Sequence, residues 1–146
     1  PASAHPKRPI DGYACARSEV SGRRLWGWAK QRFGSPDAFF EHYFVLNFCP
    51  LSFMEESGRN RTPDKLPVSE QQPLYEACTR ALSSMIEVLE PRCLVGLGNF
   101  AESRLKSIGS AVPVRRVLHP SPASPAANRG WAEAAERQLA ALDLLI

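Results

Sequence analysis

Hydrophobic side chains recur along the chain in two alternating patterns. In some stretches they return every three or four residues, as in amphipathic helices, and in others they run almost without interruption, as in buried parallel strands. The helical pattern covers residues 18–33, 69–89, 99–109 and 131–142, and the continuous runs cover residues 43–51, 93–97 and 112–118. This order predicts an α/β fold in which helices cover both faces of a mainly parallel sheet.

Residues suited to helix ends mark the bounds of the predicted helices. The starts share a side-chain oxygen that can accept from the first amides: Ser18 or Ser21, Ser35 (before Pro36, in a short second helix), Ser69 in a capping box with Gln72, and Asn99 with Glu102. The stops are Gly34, Pro91 and Gly109.

Composition places the chain among globular domains. It has 146 residues, of which 44% are hydrophobic and 23% charged, so we expect residues 1–146 to form a single domain. The net charge is +3 and the pI about 8.9, which is compatible with nucleic-acid binding. Many metabolic enzymes have the same balance, so charge alone does not identify a partner.

The four cysteines give no sign of a metal site. Cys15, Cys49, Cys78 and Cys93 form no C-x-x-C pair, so a zinc ribbon is not predicted and we expect no metal. Cys49 and Cys93 lie in apolar runs and are expected to be buried, reduced thiols, which favours an intracellular compartment. No run is long enough to span a membrane, and no signal peptide is recognised.

The candidate chemistry centres on His119, where the last predicted strand ends. In open α/β sheets, ligands bind beyond the carboxyl ends of the strands. Pro120, Pro122 and Pro125 follow closely and stiffen the loop, since each fixes its φ angle. Two interpretations are open: a rigid loop for insertion into a narrow space, or a proline-rich connection with an incidental surface histidine.

Two other features also have a structural and a functional interpretation. Asn47 interrupts the apolar run at residues 43–51, either as a structural amide or as an amide facing a pocket. Amides at Ser21 and Gly22, and the polar segment with Gly58, Arg59 and Asn60 in the long loop 52–67, are either ordinary capping and solvated residues or phosphate contacts. The glycine pair Gly96-x-Gly98 lacks the remainder of a dinucleotide motif and is not interpreted as one.

Several motifs in order resemble one family of enzymes. His119-Pro120-Ser121-Pro122, followed by Ser124-Pro125-x-Ala127-Asn128-Arg129-Gly130-Trp131, resembles the second active-site motif of the uracil-DNA glycosylase superfamily, in particular of the single-strand-selective monofunctional family. The other matching segments are His5-Pro6-Lys7-Arg8-Pro9, Ser18-Glu19-Val20-Ser21-Gly22 with Trp26, Phe44-Val45-x-Asn47-x-Cys49-Pro50-Leu51, and Ser57-Gly58-Arg59-Asn60 with Thr62-Pro63.

The resemblance implies a three-layer α/β/α sandwich of the uracil-DNA glycosylase type. The superfamily's sheet has four strands, whereas three are predicted here. The family's first motif, a Gly-Met-Asn-Pro-Gly-like turn after the first core strand, does not occur in this sequence. We therefore expect these residues to be the C-terminal portion of the domain, with the first strand and the water-positioning Asn of that motif lying outside the sequence.

The resemblance also implies roles for the candidate residues. His119 would donate to the uracil O2 as the glycosidic bond breaks, and Asn47 would read the flipped base, because its amide can donate to O4 and accept from N3–H. The family's wedge into DNA would be formed by Ser121, Pro122, Ala123, Ser124, Pro125, Asn128 and Arg129. Ala123 departs from the family, which has a longer polar or basic side chain there.

The function that follows is base-excision repair: uracil, and related damaged bases, would be flipped out of DNA and the N-glycosidic bond hydrolysed to leave an abasic site. No lysine is placed to attack the sugar, so a monofunctional hydrolase is expected. We expect a monomer that needs no cofactor, binds single- or double-stranded DNA and no membrane, and works in the bacterial cytoplasm or the eukaryotic nucleus. The alternative is a non-catalytic binder of damaged or single-stranded DNA on the same fold.

Overall fold

The computed structural model describes residues 5–9, 11–16 and 18–146, apart from the side chain of Tyr13. Its helices are α1 (Val20–Phe33), α2 (Pro36–Phe40), α3 (Val68–Leu89), α4 (Gly98–Ser107) and α5 (Trp131–Ala141). Its strands are β1 (Phe53–Met54), β2 (Asn60–Arg61), β3 (Leu94–Leu97) and β4 (Val114–Val117). Short 3-10 turns lie at Gly12–Ala14, Pro63–Lys65 and Ala127–Arg129.

The central pair of strands confirms the mixed α/β class and the parallel pairing. β3 and β4 run parallel, with Leu94 opposite Val114 and Leu97 opposite Val117, and α4 connects them. β1 and β2 form a separate antiparallel hairpin inside the predicted long loop. The parallel sheet of the described residues is therefore small, with two strands.

Two hydrophobic cores flank the parallel pair. The first has as its buried members Trp28, Ala29, Phe39, Val117, Ala127, Trp131, Ala135 and Leu139. The second consists of Leu82, Ile86, Leu94 and Leu105. Because side chains alternate along a strand, Leu94 enters the second core while Val95 and Leu97 pack against the first. The two strands therefore lie between a layer of α1, α2 and α5 and a layer of α3 and α4.

Aromatic rings dominate the first core. The Trp28 ring makes edge-to-face contacts with Phe39, Tyr43 and Trp131 at centroid distances of 6.2–6.3 Å. Such pairs contribute about 0.5–1.5 kcal/mol each beyond the area they bury. The Trp28 indole N–H also donates to Glu136 at 3.1 Å, so α1 and α5 are joined by packing and by a hydrogen bond.

The second core ends in a cationic group stacked on aromatic rings. The Arg104 guanidinium lies 4.4 Å from the Tyr75 ring centroid, 5.2 Å from that of Phe100 and 5.7 Å from that of Phe48. Cation–π contacts of this kind are worth about 0.5–2 kcal/mol depending on exposure. They join α3 and α4 to the segment that carries Asn47.

The apolar run at residues 43–51 predicts a buried strand, and this prediction is wrong. The segment belongs to neither sheet, because β3 pairs only with β4 in the described part of the chain and no strand lies beside the run to complete a ladder. Its hydrophobic side chains are buried on one side only. Val45 packs against the first core and Phe48 against the second, while Phe44 and Leu51 are more than half exposed.

Three predicted helix caps are also wrong. Glu19, not Ser18 or Ser21, caps α1, since its longer carboxylate reaches two amides at once. α3 begins at Val68 after Pro67, which puts Ser69 inside the helix and removes the capping box. β3 runs directly into α4 at Gly98, so Asn99 is helical and its Oδ1 instead accepts from Arg116 at 2.6 Å.

The start of α2 is confirmed, since Ser35 Oγ accepts from the Ala38 amide and Pro36 is its first residue. The predicted core face of the last helix is confirmed too. Trp131, Ala135 and Leu139 are buried and Leu142 packs against them. The fixed position of α5 matters for the site, because two of its side chains hold the backbone just before His119.

The predicted burial of two thiols is wrong. Cys49 and Cys93 are partly exposed, while Cys78 on α3 is buried. Burial raises the pKa of the Cys78 thiol, and the adjacent Cys49 raises it further. In the described part of the chain, no helix combines the length and apolar character needed to cross a bilayer.

Candidate active site

His119 lies two residues after β4, at a point that α5 fixes from behind. The Trp131 indole N–H donates to the carbonyl of Leu118 at 2.7 Å, and the Gln138 Oε1 accepts from the Leu118 amide at 2.7 Å. Both polar groups of the Leu118 backbone are thus bonded to side chains of one helix. The root of the His119 loop is therefore anchored to the first core.

The environment of the His119 ring selects one neutral tautomer. The Ser121 amide donates to Nδ1 at 3.0 Å, so Nδ1 is an acceptor and the proton of the neutral ring is on Nε2. The residue is exposed, which leaves the Nε2–H available to a ligand. The arrangement presents a directed hydrogen-bond donor at the carboxyl end of a parallel strand.

Gly98, at the junction of β3 and α4, gives the His119 side chain its space. Gly98 has φ +84°, and a Cβ added there would lie 3.0 Å from the His119 Cβ. The two strand ends thus approach each other closely, β4 through His119 and β3 through Gly98. The Gly96-x-Gly98 pair, which does not match a dinucleotide motif, serves this packing. Gly96 faces the α4 backbone and Gly98 faces His119.

The loop after His119 is held in shape by hydrogen bonds among its own residues. Ser121 Oγ accepts from the Ala123 amide at 3.1 Å, and the Ser121 carbonyl accepts from the Ser124 amide at 3.1 Å. Asn128 Nδ2 donates back to the Pro122 carbonyl at 2.9 Å. Ala127 is buried at 2% exposure, while Pro122, Ala123 and Pro125 are exposed. The result is a rigid loop whose protruding tip carries small side chains.

An arginine of α1 ties the two ends of this loop together. Arg24 donates through Nη1 to the carbonyls of Pro120 at 2.9 Å and Ser121 at 3.2 Å, and through Nη2 to Asn128 Oδ1 at 2.8 Å. Sequence reasoning missed Arg24. Its partners are about a hundred residues away along the chain, and no local pattern distinguishes it from the adjacent Arg23.

The amides predicted as a phosphate site are already bonded in this structure. Ser21 N donates to Glu19 Oε1 at 3.0 Å and Gly22 N to Glu19 Oε2 at 2.8 Å. These bonds, from Gly22 and then Ser21, lower the pKa of the Glu19 carboxyl, and the nearby His119 ring adds a smaller lowering. A phosphate at these amides would have to displace the Glu19 carboxylate, so the predicted contact stays a prediction.

No hydrogen bond joins Asn47 to His119 in the described part of the chain. Asn47 is exposed and makes no side-chain hydrogen bond to the described residues. Its neighbours Val45 and Phe48 pack against the two cores that flank the parallel strands. The segment is therefore packed against both cores, while the Asn47 side chain itself faces solvent.

The second predicted phosphate segment is the turn between β1 and β2, and it joins two of the sequence motifs. The Arg8 Nε donates to the Gly58 carbonyl at 2.9 Å, and the His5 ring lies 3.0 Å from where a Gly58 Cβ would be. Arg59 forms an exposed ion pair with Glu55 at 3.8 Å. Asn60 begins β2 and is exposed, so the guanidinium of Arg59 and the amide of Asn60 are both open to solvent.

Three mammalian proteins are similar to this chain over its whole length. The chain is 46% identical over 149 aligned positions to the single-strand selective monofunctional uracil-DNA glycosylase of Rattus norvegicus, with 99% of this chain and 54% of the relative covered. It is 45% identical to proteins of the same name from Bos taurus and Mus musculus, covering 55% and 53% of them.

The similarity confirms the resemblance that the motifs indicate. The chain spans about half the length of the curated relatives it matches. No protein-family model matches it.

Proposed function

We propose that this chain carries the base-releasing histidine of a monofunctional uracil-DNA glycosylase. The observation that supports this most is the His119 ring, held by the Ser121 amide as an Nε2–H donor beside a rigid, protruding loop. The names of the similar mammalian proteins support the same activity. The substrate would be uracil in DNA and the product an abasic site.

In the proposed chemistry the histidine acts only as a hydrogen-bond donor in a fixed position. As the bond between deoxyribose and uracil breaks, its electron pair leaves with the base, and the negative charge of the departing uracil collects at O2. Water adds to the cationic C1′ that remains on the sugar and loses a proton, which gives the abasic site. A neutral His119 would donate a hydrogen bond from Nε2–H to the uracil O2 without transferring the proton. A donor aimed at developing charge is typically worth about 2.7–4 kcal/mol of transition-state stabilisation.

We propose the loop from Ser121 to Arg129 as the wedge that occupies the gap left by the flipped base. Flipping costs a few kcal/mol of unstacking and unpairing, so a loop that is already ordered loses little entropy on insertion. The exposed tip at Pro122, Ala123 and Pro125 is small enough to enter a base stack. A short side chain at Ala123 favours shallow insertion.

The remaining predicted roles extend this proposal to the DNA backbone and the fold. Arg59 and Asn60 would contact phosphates from the β1–β2 turn, whereas Gly58 is buried with both backbone groups bonded and would only shape that turn. The Ser21 and Gly22 amides would contact a phosphate if it displaced the Glu19 carboxylate. The whole domain would be a three-layer sandwich of the uracil-DNA glycosylase type, acting as a monomer. Its compartment would be the one that holds the genome: the bacterial cytoplasm or the eukaryotic nucleus.

The test of the proposal is uracil release by the full-length protein. We expect a single-stranded oligonucleotide with one uracil to be converted to an alkali-labile abasic product, while the same oligonucleotide with thymine stays intact. Alkali must be required for strand cleavage, since a monofunctional enzyme does not cut the backbone. Binding of the uracil oligonucleotide without release of the base would favour the non-catalytic binder.

Asn47→Asp should reduce uracil release and relax the discrimination against cytosine. The carboxylate can accept from an exocyclic amine but cannot donate to the O4 of uracil, so the base edge that it favours changes. A site built to hydrogen-bond one edge rejects the wrong one by several orders of magnitude, so the ratio of single-turnover rates for uracil and cytosine should fall by at least about tenfold.

The control for this substitution is Asn60→Asp, which makes the same change of charge in the β1–β2 hairpin. It should leave the uracil-to-cytosine ratio unaltered even if DNA affinity falls. If Asn47→Asp keeps the full ratio, Asn47 does not read the base.

A further inference from the structure

Arg24 donates hydrogen bonds to three residues of the His119 loop. Its side chain is half-buried, and the guanidinium spans from Pro120 and Ser121 at the root of the His119 loop to Asn128 near its far end. All three contacts lie within 3.2 Å. The side chain of the adjacent Arg23 is exposed and forms no hydrogen bond or ion pair within the described residues, and only its backbone amide is bonded, to the Glu19 carbonyl at 2.9 Å.

Ser121 connects these contacts to the His119 ring. The carbonyl of Ser121 accepts from Arg24, and the amide of Ser121 donates to His119 Nδ1. The carbonyl of Pro120, which also accepts from Arg24, belongs to the same peptide group as that amide. Arg24 therefore fixes the plane of the peptide that sets both the orientation and the tautomer of the ring.

The shape of the guanidinium suits this task. It is planar, always charged and offers five donors in a rigid fork, so it can bond two carbonyls and an amide oxygen at once. An ammonium group in the same place is a point charge on a flexible stem and fixes geometry less well. Asn128, held by Arg24 on one side, in turn donates to the Pro122 carbonyl and closes the loop.

We propose that Arg24 is a positioning residue that acts through the Ser121 peptide on His119. This inference rests on the proposed role of His119 in uracil release. Arg24 would hold the Nε2–H donor in line with the departing base and keep the loop in one shape. It would touch neither the base nor the sugar.

The first experiment compares Arg24→Met and Arg24→Lys with the control Arg23→Met in the full-length protein. Met keeps an unbranched apolar stem and the helical propensity of Arg while removing its charge and donors, and the control removes the same charge one residue away. Single-turnover rates are measured with enzyme in excess, and dissociation constants with an uncleavable uracil analogue in the same DNA.

We expect Arg24→Met to lower the single-turnover rate by roughly tenfold to a hundredfold, as a small misplacement of a catalytic group does, with a change in dissociation constant below threefold. Arg24→Lys should be intermediate and Arg23→Met close to the parent. A loss of affinity with an unchanged rate would overturn the proposal, because Arg24 would then be a phosphate contact.

A double-mutant cycle with His119→Ala separates positioning from a general structural effect. If Arg24 acts through His119, Arg24→Met should slow the His119→Ala enzyme by less than threefold, since there is no ring left to misplace. Equal losses in both backgrounds would overturn the proposal. Near-ultraviolet circular dichroism and the thermal midpoint identify any variant that is misfolded, and Arg24→Lys then takes the place of Arg24→Met in the cycle.

A final measurement keeps the inference separate from the proposed activity. The 15N shifts of the His119 ring, assigned by comparison with His119→Ala, report which nitrogen of His119 carries the proton. We expect the Nε2–H form in the parent and a mixture in Arg24→Met. If the parent releases no uracil, the proposed function fails, yet a changed tautomer ratio would still show that Arg24 positions the ring. An unchanged ratio with an unchanged rate would overturn the inference.

Discussion

His119→Ala should lower the single-turnover rate of uracil release by about a hundredfold to a thousandfold, which is the typical loss for one donor aimed at developing charge. The dissociation constant for DNA carrying an uncleavable uracil analogue should change little. In the proposed mechanism the hydrogen bond from His119 Nε2–H to the uracil O2 would strengthen only as the base departs. Its removal would therefore affect the transition state more than the bound substrate. Rapid-quench measurements with enzyme in excess separate the two quantities.

Two controls make this result specific. His42→Ala removes an exposed ring that packs against Phe33, far along the chain from the loop, and should leave the rate unchanged. His119→Gln retains an amide donor at a different reach and should recover part of the loss. An unchanged rate in His119→Ala would remove the residue from the mechanism and would direct attention to another donor.

Gly96→Ala should destabilise the fold by about 3 kcal/mol, the upper part of the range for overpacking. An added Cβ at Gly96 would lie 2.4 Å from Glu102 N and 2.7 Å from Glu102 Cα. These are backbone atoms of α4, so no side-chain rotation relieves the clash, and β3 must separate from the helix that follows it. Since domains have only about 5–15 kcal/mol of stability, the urea midpoint should fall substantially.

Gly27→Ala is the matched control, because a Cβ at Gly27 on α1 meets nothing within 4 Å. Inside a helix, alanine should stabilise by up to about 1 kcal/mol relative to glycine. The two substitutions therefore should move the midpoint in opposite directions. A Gly96→Ala midpoint equal to that of the parent would show that α4 can shift away from β3 at little expense.

The helices and the parallel strands could be predicted because the information for them is local. The apolar stripe of α5 and the continuous run of β3 each follow from their own residues, with bounds within two residues of those observed. Residues 43–51 have an equally strong run, and yet they form no strand. A strand requires a neighbour with which to exchange hydrogen bonds, and no single run contains information about its neighbour.

Within the site, too, residues with a local signal could be predicted and residues that depend on the fold could not. His119 stands out because it ends a strand and begins a proline-rich loop, and the resemblance to a glycosylase motif gives it a role. Glu19 as the cap of α1 competes with two serines that have better intrinsic preference, and only geometry decides among them. Arg24 depends on acceptors from Pro120, Ser121 and Asn128, which the fold brings together.

The way the His119 loop is held has a consequence for how such a protein can change over generations. Its shape depends on backbone groups and on the side chains of Arg24, Ser121, Ser124 and Asn128, whereas the exposed side chains of Ala123 and Ala126 form no hydrogen bond. Mutations at these two positions should therefore cost little stability. Natural selection can vary the surface that is proposed to contact DNA there, while His119 behind it keeps its position.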